Sequence, residues 1–204
     1  MKKVILLAFI AVLSIASANA QVKFGVTAGL NTSSLTGDVE GGKYKAGVQA
    51  GLLLDYSVSD KFSIIPELLF TQKGAKVEES DEYLNLTIKG AFNFNYLQIP
   101  INAAYKFDVA PDSKILVFAG PYVGYALSGK LKFDSNLLED IKINFGSKEG
   151  ELNPLDFGLN IGAGYQYTKF FAKLQYNLGL SNLSNESDVT LHHSNVAFTV
   201  GYLF

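Results

Sequence analysis

The 204-residue chain contains no cysteine, and all 17 of its basic residues are lysine. Without cysteine there is no disulfide framework, no thiolate metal site and no lipobox for a lipid anchor. Without arginine, and with a formal net charge of −2, the chain lacks the bidentate phosphate-gripping side chain and any basic stripe, so nucleic acid is not an expected partner. Long apolar runs are missing as well. The run from Val4 to Ile15 is too short, and no later segment approaches the roughly 18 uninterrupted apolar residues of a transmembrane helix. If this chain spans a membrane, it does so with strands.

What is present begins with a leader. Lys2 and Lys3 precede the apolar run, and Ala18-Asn19-Ala20 is a small-x-small site before Gln21, which reads as a secretory signal peptide over residues 1–20. Its removal would leave one domain by length, residues 21–204, made more negative by the loss of two lysines.

Eight stretches of that domain alternate at period two, the mark of strands with two different faces. Val22, Phe24, Val26, Ala28 and Leu30 oppose Lys23, Gly25, Thr27, Gly29 and Asn31. Val48 to Tyr56 opposes Gly47 to Asp55, and Phe62 to Phe70 opposes a face holding Ser63, Glu67 and Thr71. Leu97 to Phe107 opposes Gln98 to Lys106. The stretch from about Ile115 to Leu127 is ambiguous, because Phe118 and Tyr122 share a face with Gly120 and Gly124. Phe157 to Tyr167 opposes Gly158, Asn160, Gly162, Gly164 and Gln166; Phe170 to Leu178 opposes Lys173, Gln175, Asn177 and Gly179; Val196 to Phe204 opposes Asn195, Ala197, Thr199 and Gly201. Such a set is expected to close into an all-β, eight-stranded antiparallel up-and-down transmembrane barrel.

A secreted barrel with an apolar interior would show the same alternation, and charge separates the two. A water-facing surface carries roughly 25–35% charged residues, whereas these polar faces are mostly Gly, Asn, Gln, Thr and Ser, which suits a crowded lumen. Tyr56, Phe62, Tyr105, Phe107, Tyr165, Tyr167, Tyr202 and Phe204 gather at strand ends, as an aromatic girdle at a bilayer interface does. Links near Ser59-Asp60, Val109 to Asp112 and Thr168-Lys169 are short. Those over Asn31 to Lys45, Gln72 to Asn95, Ser128 to Leu155 and Ser181 to His193 are long. Bacterial barrels put short turns in the periplasm and long loops outside, so both termini are expected in the periplasm and the long loops at the cell surface. Within those loops Tyr83 to Lys89, Lys130 to Asp134 and Ile141 to Phe145 alternate again. They are expected to continue as protruding hairpins whose edges could pair with a partner.

Several motifs together resemble the small outer-membrane β-barrel domain family common in Bacteroidota, the PorT-like barrels. They are Phe24-Gly25-Val26 with Gly29-Leu30-Asn31, Pro66-Glu67-Leu68 with Gln72-Lys73-Gly74, Tyr96-Leu97-Gln98-Ile99-Pro100, Ala119-Gly120-Pro121-Tyr122-Val123-Gly124 and Tyr176-Asn177-Leu178-Gly179-Leu180. The resemblance implies an outer-membrane location and brings no shared catalytic residues. One branch of the family supports type IX secretion, and nothing here marks that branch. Phe204 is similar to the terminal aromatic that such barrels present to the barrel assembly machinery.

Lys23, Asp55, Glu67, Lys106 and Lys173 fall on lumen faces and are expected to form a polar network, because an unpaired buried charge costs several kcal/mol. Eight strands leave an interior just wide enough for side chains to fill, so free diffusion of solutes is not expected. In His192-His193-Ser194, His192 and Ser194 would share a face if the last strand begins there, as in lipid A deacylases, with Glu186 or Asp188 to orient the imidazole. No acid stands on a neighbouring strand as that family requires, so the segment reads as a solvated loop edge. Adjacent histidines point to opposite strand faces and lack a second ligand at metal spacing. The acidic run Glu78-Glu79-Ser80-Asp81-Glu82 lacks the glycine of a calcium loop and reads as a hairpin tip. No cofactor and no catalytic or metal residue is expected. The expected role is a monomeric, non-enzymatic envelope protein whose partners are membrane lipid, lipopolysaccharide and an extracellular protein met by the loops. The alternative is transport through a narrow or gated lumen, or a place in a secretion assembly.

Overall fold

The computed structural model describes residues 21–38, 43–81, 86–134, 139–148, 150–186 and 189–204. Its strands are β1 (Val22–Gly37), β2 (Lys43–Ser57), β3 (Phe62–Asp81), β4 (Leu86–Ala110), β5 (Ser113–Phe133), the short β6 (Ile141–Ile143), β7 (Leu155–Tyr167), β8 (Phe170–Gly179) and β9 (Leu191–Leu203). Each long strand pairs antiparallel with its neighbour in the chain, and the β1–β9 ladder, from Gly25↔Leu203 to Gly37↔Leu191, closes the ring. All edges but those of the protruding segments are thereby removed, which is what a lipid environment demands of strands. The expected eight-stranded barrel is the observed one, with β6 as a small addition beside Gly129 to Leu131 of β5.

Alternation sets the two faces. Leu30, Leu52, Ile101, Ile161, Leu174 and Val200 face outward and are exposed, Leu30 by 68%. Thr27, Gln49, Glu67, Asn102, Gln175 and Thr199 face the lumen and are buried. This is the inverse of a water-soluble barrel and leaves an apolar belt for lipid. The ambiguous stretch resolves inward: Phe118 and Tyr122 are 4% and 3% exposed in the lumen. Glycines on β7 make this possible. A Cβ at Gly162 would come within 2.4 Å of the Phe118 ring, and one at Gly158 within 2.8 Å of Tyr122.

Three short links lie at the end of the barrel that also holds the chain's first and last strand ends, the turn end. Asp112 and Thr168 adopt positive φ there, and the Thr168 amide donates to the Asp112 carbonyl at 2.8 Å, tying two turns together. The expected aromatic girdle belongs to this end, where Tyr105 packs on Phe107, and Tyr202 on both Phe170 and Phe204.

At the opposite, loop end the strands run further than alternation suggests. β1 reaches Gly37, β3 and β4 pair as far as Asp81↔Leu86, and β5 reaches Phe133. The reason is physical: above the belt the outer face turns polar, so the apolar–polar contrast fades while the backbone ladder continues. Lys130 to Phe133 and Ile141 to Ile143 are strand, as expected, whereas Tyr83 to Asn85 lie outside the described residues. Where the β2–β3 ladder is irregular, between Tyr44 and Gln49, side chains of β1 replace it. The Asn31 amide donates to the Gln72 carbonyl at 2.9 Å, and the Ser33 hydroxyl both donates to the Gly74 carbonyl and accepts from the Gly74 amide.

Candidate functional site

In the turn-end half of the lumen lie two buried ion pairs, one reaching past a single strand and one across the barrel. Lys106 on β4 pairs with Asp55 on β2, and Lys173 on β8 meets Glu67 on β3 at 2.6 Å. In the ring order β3 and β8 stand opposite one another, so the second pair spans the full lumen. Asn102 adds a 3.4 Å hydrogen bond to the same Glu67 oxygen, and the Lys173 ammonium lies over the rings of Phe118 and Phe171. Leu53, Ile65, Ala104, Leu116 and Leu203 pack around these groups with the two rings. A cavity of about 20 Å³ lies beside them, bordered by Asp55, Lys106, Gln166 and Lys173, which is room for about one water.

The structure therefore brings together four of the five lumen charges expected from the sequence, Asp55 with Lys106 and Glu67 with Lys173. It corrects the fifth. Lys23 has the inward parity and is the register partner of Asp55, yet it stands one residue from the start of β1, at the open rim, and is exposed. Water solvates it there, and Asp55 takes Lys106 instead.

Midway along the lumen lies a layer of amides and hydroxyls: Gln98, Asn102, Asn160, Gln175, Asn177, Asn195 and Thr199, all buried. Asn160 donates to Asn102 at 3.4 Å, and Gln175 to Asn177 at 3.0 Å. Among the described residues neither polar atom of the Asn195 side chain has a protein partner, so this layer is the most hydratable part of the interior.

The loop-end half is organised around one carboxylate. Asp156, at the start of β7, accepts from Lys73 of β3 at 2.9 Å and lies 3.2 Å from Nδ1 of His193 of β9, both on Oδ2. Its Oδ1 accepts from the Tyr122 hydroxyl at 3.1 Å and the Ser181 hydroxyl at 3.3 Å. The Lys73 ammonium sits 4.8 Å from the Tyr122 ring centroid and 5.3 Å from that of Tyr96, a cation–π arrangement. His193 meets Phe94 and Tyr96 edge to face. Lys73, Asp156 and His193 are at most 1% exposed, and Nε2 of His193 has no protein partner among the described residues.

Above this cluster the loops interlock. Leu152 bridges to Phe145 and to Ser184, the Asn153 amide donates to the Leu183 carbonyl, and the Asn185 amide donates to the carbonyls of Gly146 and Glu151. Leu183, 1% exposed, is driven into an apolar cluster with Leu35, Phe94, Tyr96 and Leu191, against which Phe92, Ile143, Phe145 and Leu152 pack. Together these side chains cap the lumen.

None of Lys73, Asp156, Tyr96 and Tyr122 was expected at a site, yet parity points to the first two, and to His193 with them. The inward series Ser63, Ile65, Glu67, Leu69, Thr71 continues to Lys73; Asn160 and Gly158 continue back to Asp156; Asn195 continues back to His193. The histidine segment is thus corrected. It is not a solvated loop edge, because β9 begins at Leu191 and carries His193 into the lumen. His192 and Ser194 do share the other face but serve separate partners. His192 Nδ1 lies 2.7 Å from the Ser181 carbonyl, and Ser194 Oγ 3.1 Å from the Tyr176 hydroxyl. Among the described residues no nucleophile–base pair forms there, and no cluster of three or more metal-ligating side chains occurs. Asp188 and Glu82 lie outside the described residues, and Glu78, on the hairpin, pairs with Lys43 and Lys89.

The family model described as outer membrane protein beta-barrel domain matches residues 16–185. Among solved structures, the outer membrane protein OprG from Pseudomonas aeruginosa is 15% identical over 89% of this chain and 95% of its own, with a TM-score of 0.51. Neisserial surface protein A is 14% identical over 89% and 97%, at 0.49. Ail, the attachment invasion locus protein of Yersinia pestis, crystallised with the heparin analogue sucrose octasulfate, is 16% identical over 90% and 99%, at 0.45. At these identities the likeness is one of fold. No curated protein matches the sequence.

Proposed function

The chain belongs to the outer membrane protein beta-barrel domain family, and from that premise we propose that it is a closed, non-enzymatic anchor that holds its loop-end hairpins out to a partner or supports the integrity of the envelope. One observation carries this reading: the lumen is crossed by buried ion pairs at two levels and capped by interlocked loops, so the wall and its projections remain as the working surfaces. Apart from the Asp134 amide, which donates to the Lys89 carbonyl, the β3–β4 hairpin beyond Val77↔Gly90 has no further strand beside it among the described residues, so its backbone edges could add a strand.

Several finer readings go with it. The leader over residues 1–20 directs secretion, and cleavage before Gln21 leaves β1 to start at Val22. The termini face the periplasm and the long loops the outside, following the short-turn, long-loop asymmetry. Phe204, 66% exposed beside Tyr202 on the outer wall, is proposed as the terminal aromatic that the barrel assembly machinery reads. Membership of the PorT-like branch rests on the sequence motifs alone.

Complementation separates anchor from passage. In cells lacking the gene, a variant in which Val77 is joined directly to Lys89, removing the hairpin tip, is expected to behave like the deletion in a detergent-sensitivity assay. The lumen variant Glu67→Met/Lys173→Met is expected to complement fully. The reverse pattern would favour the transport reading, whose physical support is the hydratable amide layer.

A further inference from the structure

Just above the apolar belt, the outer wall over β2 to β5 carries a concave pocket of about 250 Å³. Lys45, Lys130 and Lys132 line it with Gln72, Asn93 and Asn95, and it is backed by the wall at Lys73 and Phe94, which are themselves buried. Asn93 and Asn95 alternate with the buried Phe94 and Tyr96, and Lys130 follows the buried Gly129, so these side chains leave the wall on its outer side. The shift of register between Asn95 and Tyr96 puts Ser128 and the two lysines of β5 on that same side, where Ser128 accepts from Asn95 at 2.9 Å. Lys45 reaches the pocket over Gly74, where an added Cβ would lie 3.2 Å from Lys45 Cδ.

Charge here is uncompensated. Lys76 and Lys132 are near enough to repel the Lys45 ammonium, and no carboxylate lines the pocket. Among the described residues, no carboxylate forms an ion pair with Lys45, Lys130 or Lys132: Glu78 pairs with Lys43 and Lys89, Asp156 with Lys73, and Asp134 stands exposed two residues beyond Lys132. Val48, Phe70, Leu97, Tyr125 and Leu127 face lipid directly below. Cations converging on a polar hollow at the upper border of an apolar belt match an anionic head on acyl chains, and lysine binds phosphate as a point charge.

We propose that this pocket binds the phosphate-bearing headgroup of an outer-leaflet lipid, whose acyl chains lie down the belt. The leaflet assignment rests on the proposed loop orientation; headgroup binding does not, and it is measured in detergent, so its failure would leave the hairpin reading untouched. The probe is bisphosphorylated lipid A, titrated into the refolded barrel and read by native mass spectrometry, with folding checked by heat-modifiable gel mobility. Lysine near an anionic lipid surface is worth about a fivefold change in affinity, so Lys45→Gln/Lys130→Gln/Lys132→Gln should bind roughly a hundredfold more weakly. The matching triple arginine variant should bind as the parent does, and Lys23→Gln at the other rim should change nothing. Equal retention by the folded glutamine variant, or loss in the folded arginine variant, would overturn the proposal. So would dephosphorylated lipid A binding as tightly as the phosphorylated form, or inorganic phosphate displacing it at equal concentration.

Discussion

The two halves of the lumen bury charge differently. Toward the turns, Asp55–Lys106 and Glu67–Lys173 are separate pairs beside a small cavity that admits about one water. Toward the loops, Asp156 alone serves Lys73, His193, Tyr122 and Ser181 from four different parts of the chain, under a lid of apolar loop residues. The first arrangement cross-braces a wall; the second also fastens a loop, because Ser181 and Leu183 belong to the β8–β9 connection. Losing a partner should therefore hurt more at the loop end, where one carboxylate serves four groups at once.

Asp156→Ala is expected to have the largest effect, since it leaves the buried Lys73 without its ion-pair partner, with a loss of about 3–5 kcal/mol. Chemical denaturation of the refolded barrel measures this, and increased proteolysis between residues 181 and 190 should accompany it as the lid loosens. Glu67→Ala should lower stability by about 2 kcal/mol, because the freed Lys173 can recruit water through the adjacent cavity. An unchanged melt would remove Glu67 from the bracing. If Glu67→Ala proved worse than Asp156→Ala, the contrast between the halves would be wrong.

Gly162→Val tests packing rather than charge. The new side chain meets the Phe118 ring, 2.4 Å from where its Cβ would stand, and the overpacking should cost about 1–3 kcal/mol. Phe118→Ala in the same chain should recover part of that loss, which a double-mutant cycle reads directly.

The smallest effect lies outside the lumen, on the hairpin. Lys43 and Lys89 hold the Glu78 carboxyl below its ordinary value. A depressed carboxyl stabilises the folded form above its unfolded pKa of about 4.3 and loses that contribution as pH falls through the folded value. Hydrogen exchange in β3 and β4 beyond Lys76 should thus quicken below about pH 4 while the lumen-facing core stays protected. Salt should mimic acid there, because the pairs are exposed.

Much of this molecule is legible from alternation. Strict period two over Phe157 to Tyr167 gave both faces of β7 correctly, and the polar parity of Asp55, Glu67, Lys106 and Lys173 placed four charges inside. Parity fails where its contrast fades. Phe118 and Tyr122 leave their strand ambiguous because these large rings share a face with Gly120 and Gly124, and it is glycines on the next strand that make lumen space for them. Lys23 looks inward-facing because parity does not report the height of the rim. The Asp156 cluster was hidden because Lys73 and His193 lie past the points where the outer face stops being apolar, and because Ser181 comes from a loop that no periodicity describes. Which lumen charges meet is likewise beyond parity, since strands opposite in a ring are far apart in sequence.

The central claim, that bracing and lid close this lumen, is tested most directly by single-channel conductance of the barrel from Gln21 to Phe204 refolded into a planar bilayer. Demonstrably folded protein should give a silent trace, indistinguishable from a protein-free control. Reproducible discrete conductance steps from the unaltered barrel would contradict the account and make Glu67, Lys173 and Asp156 elements of a gate.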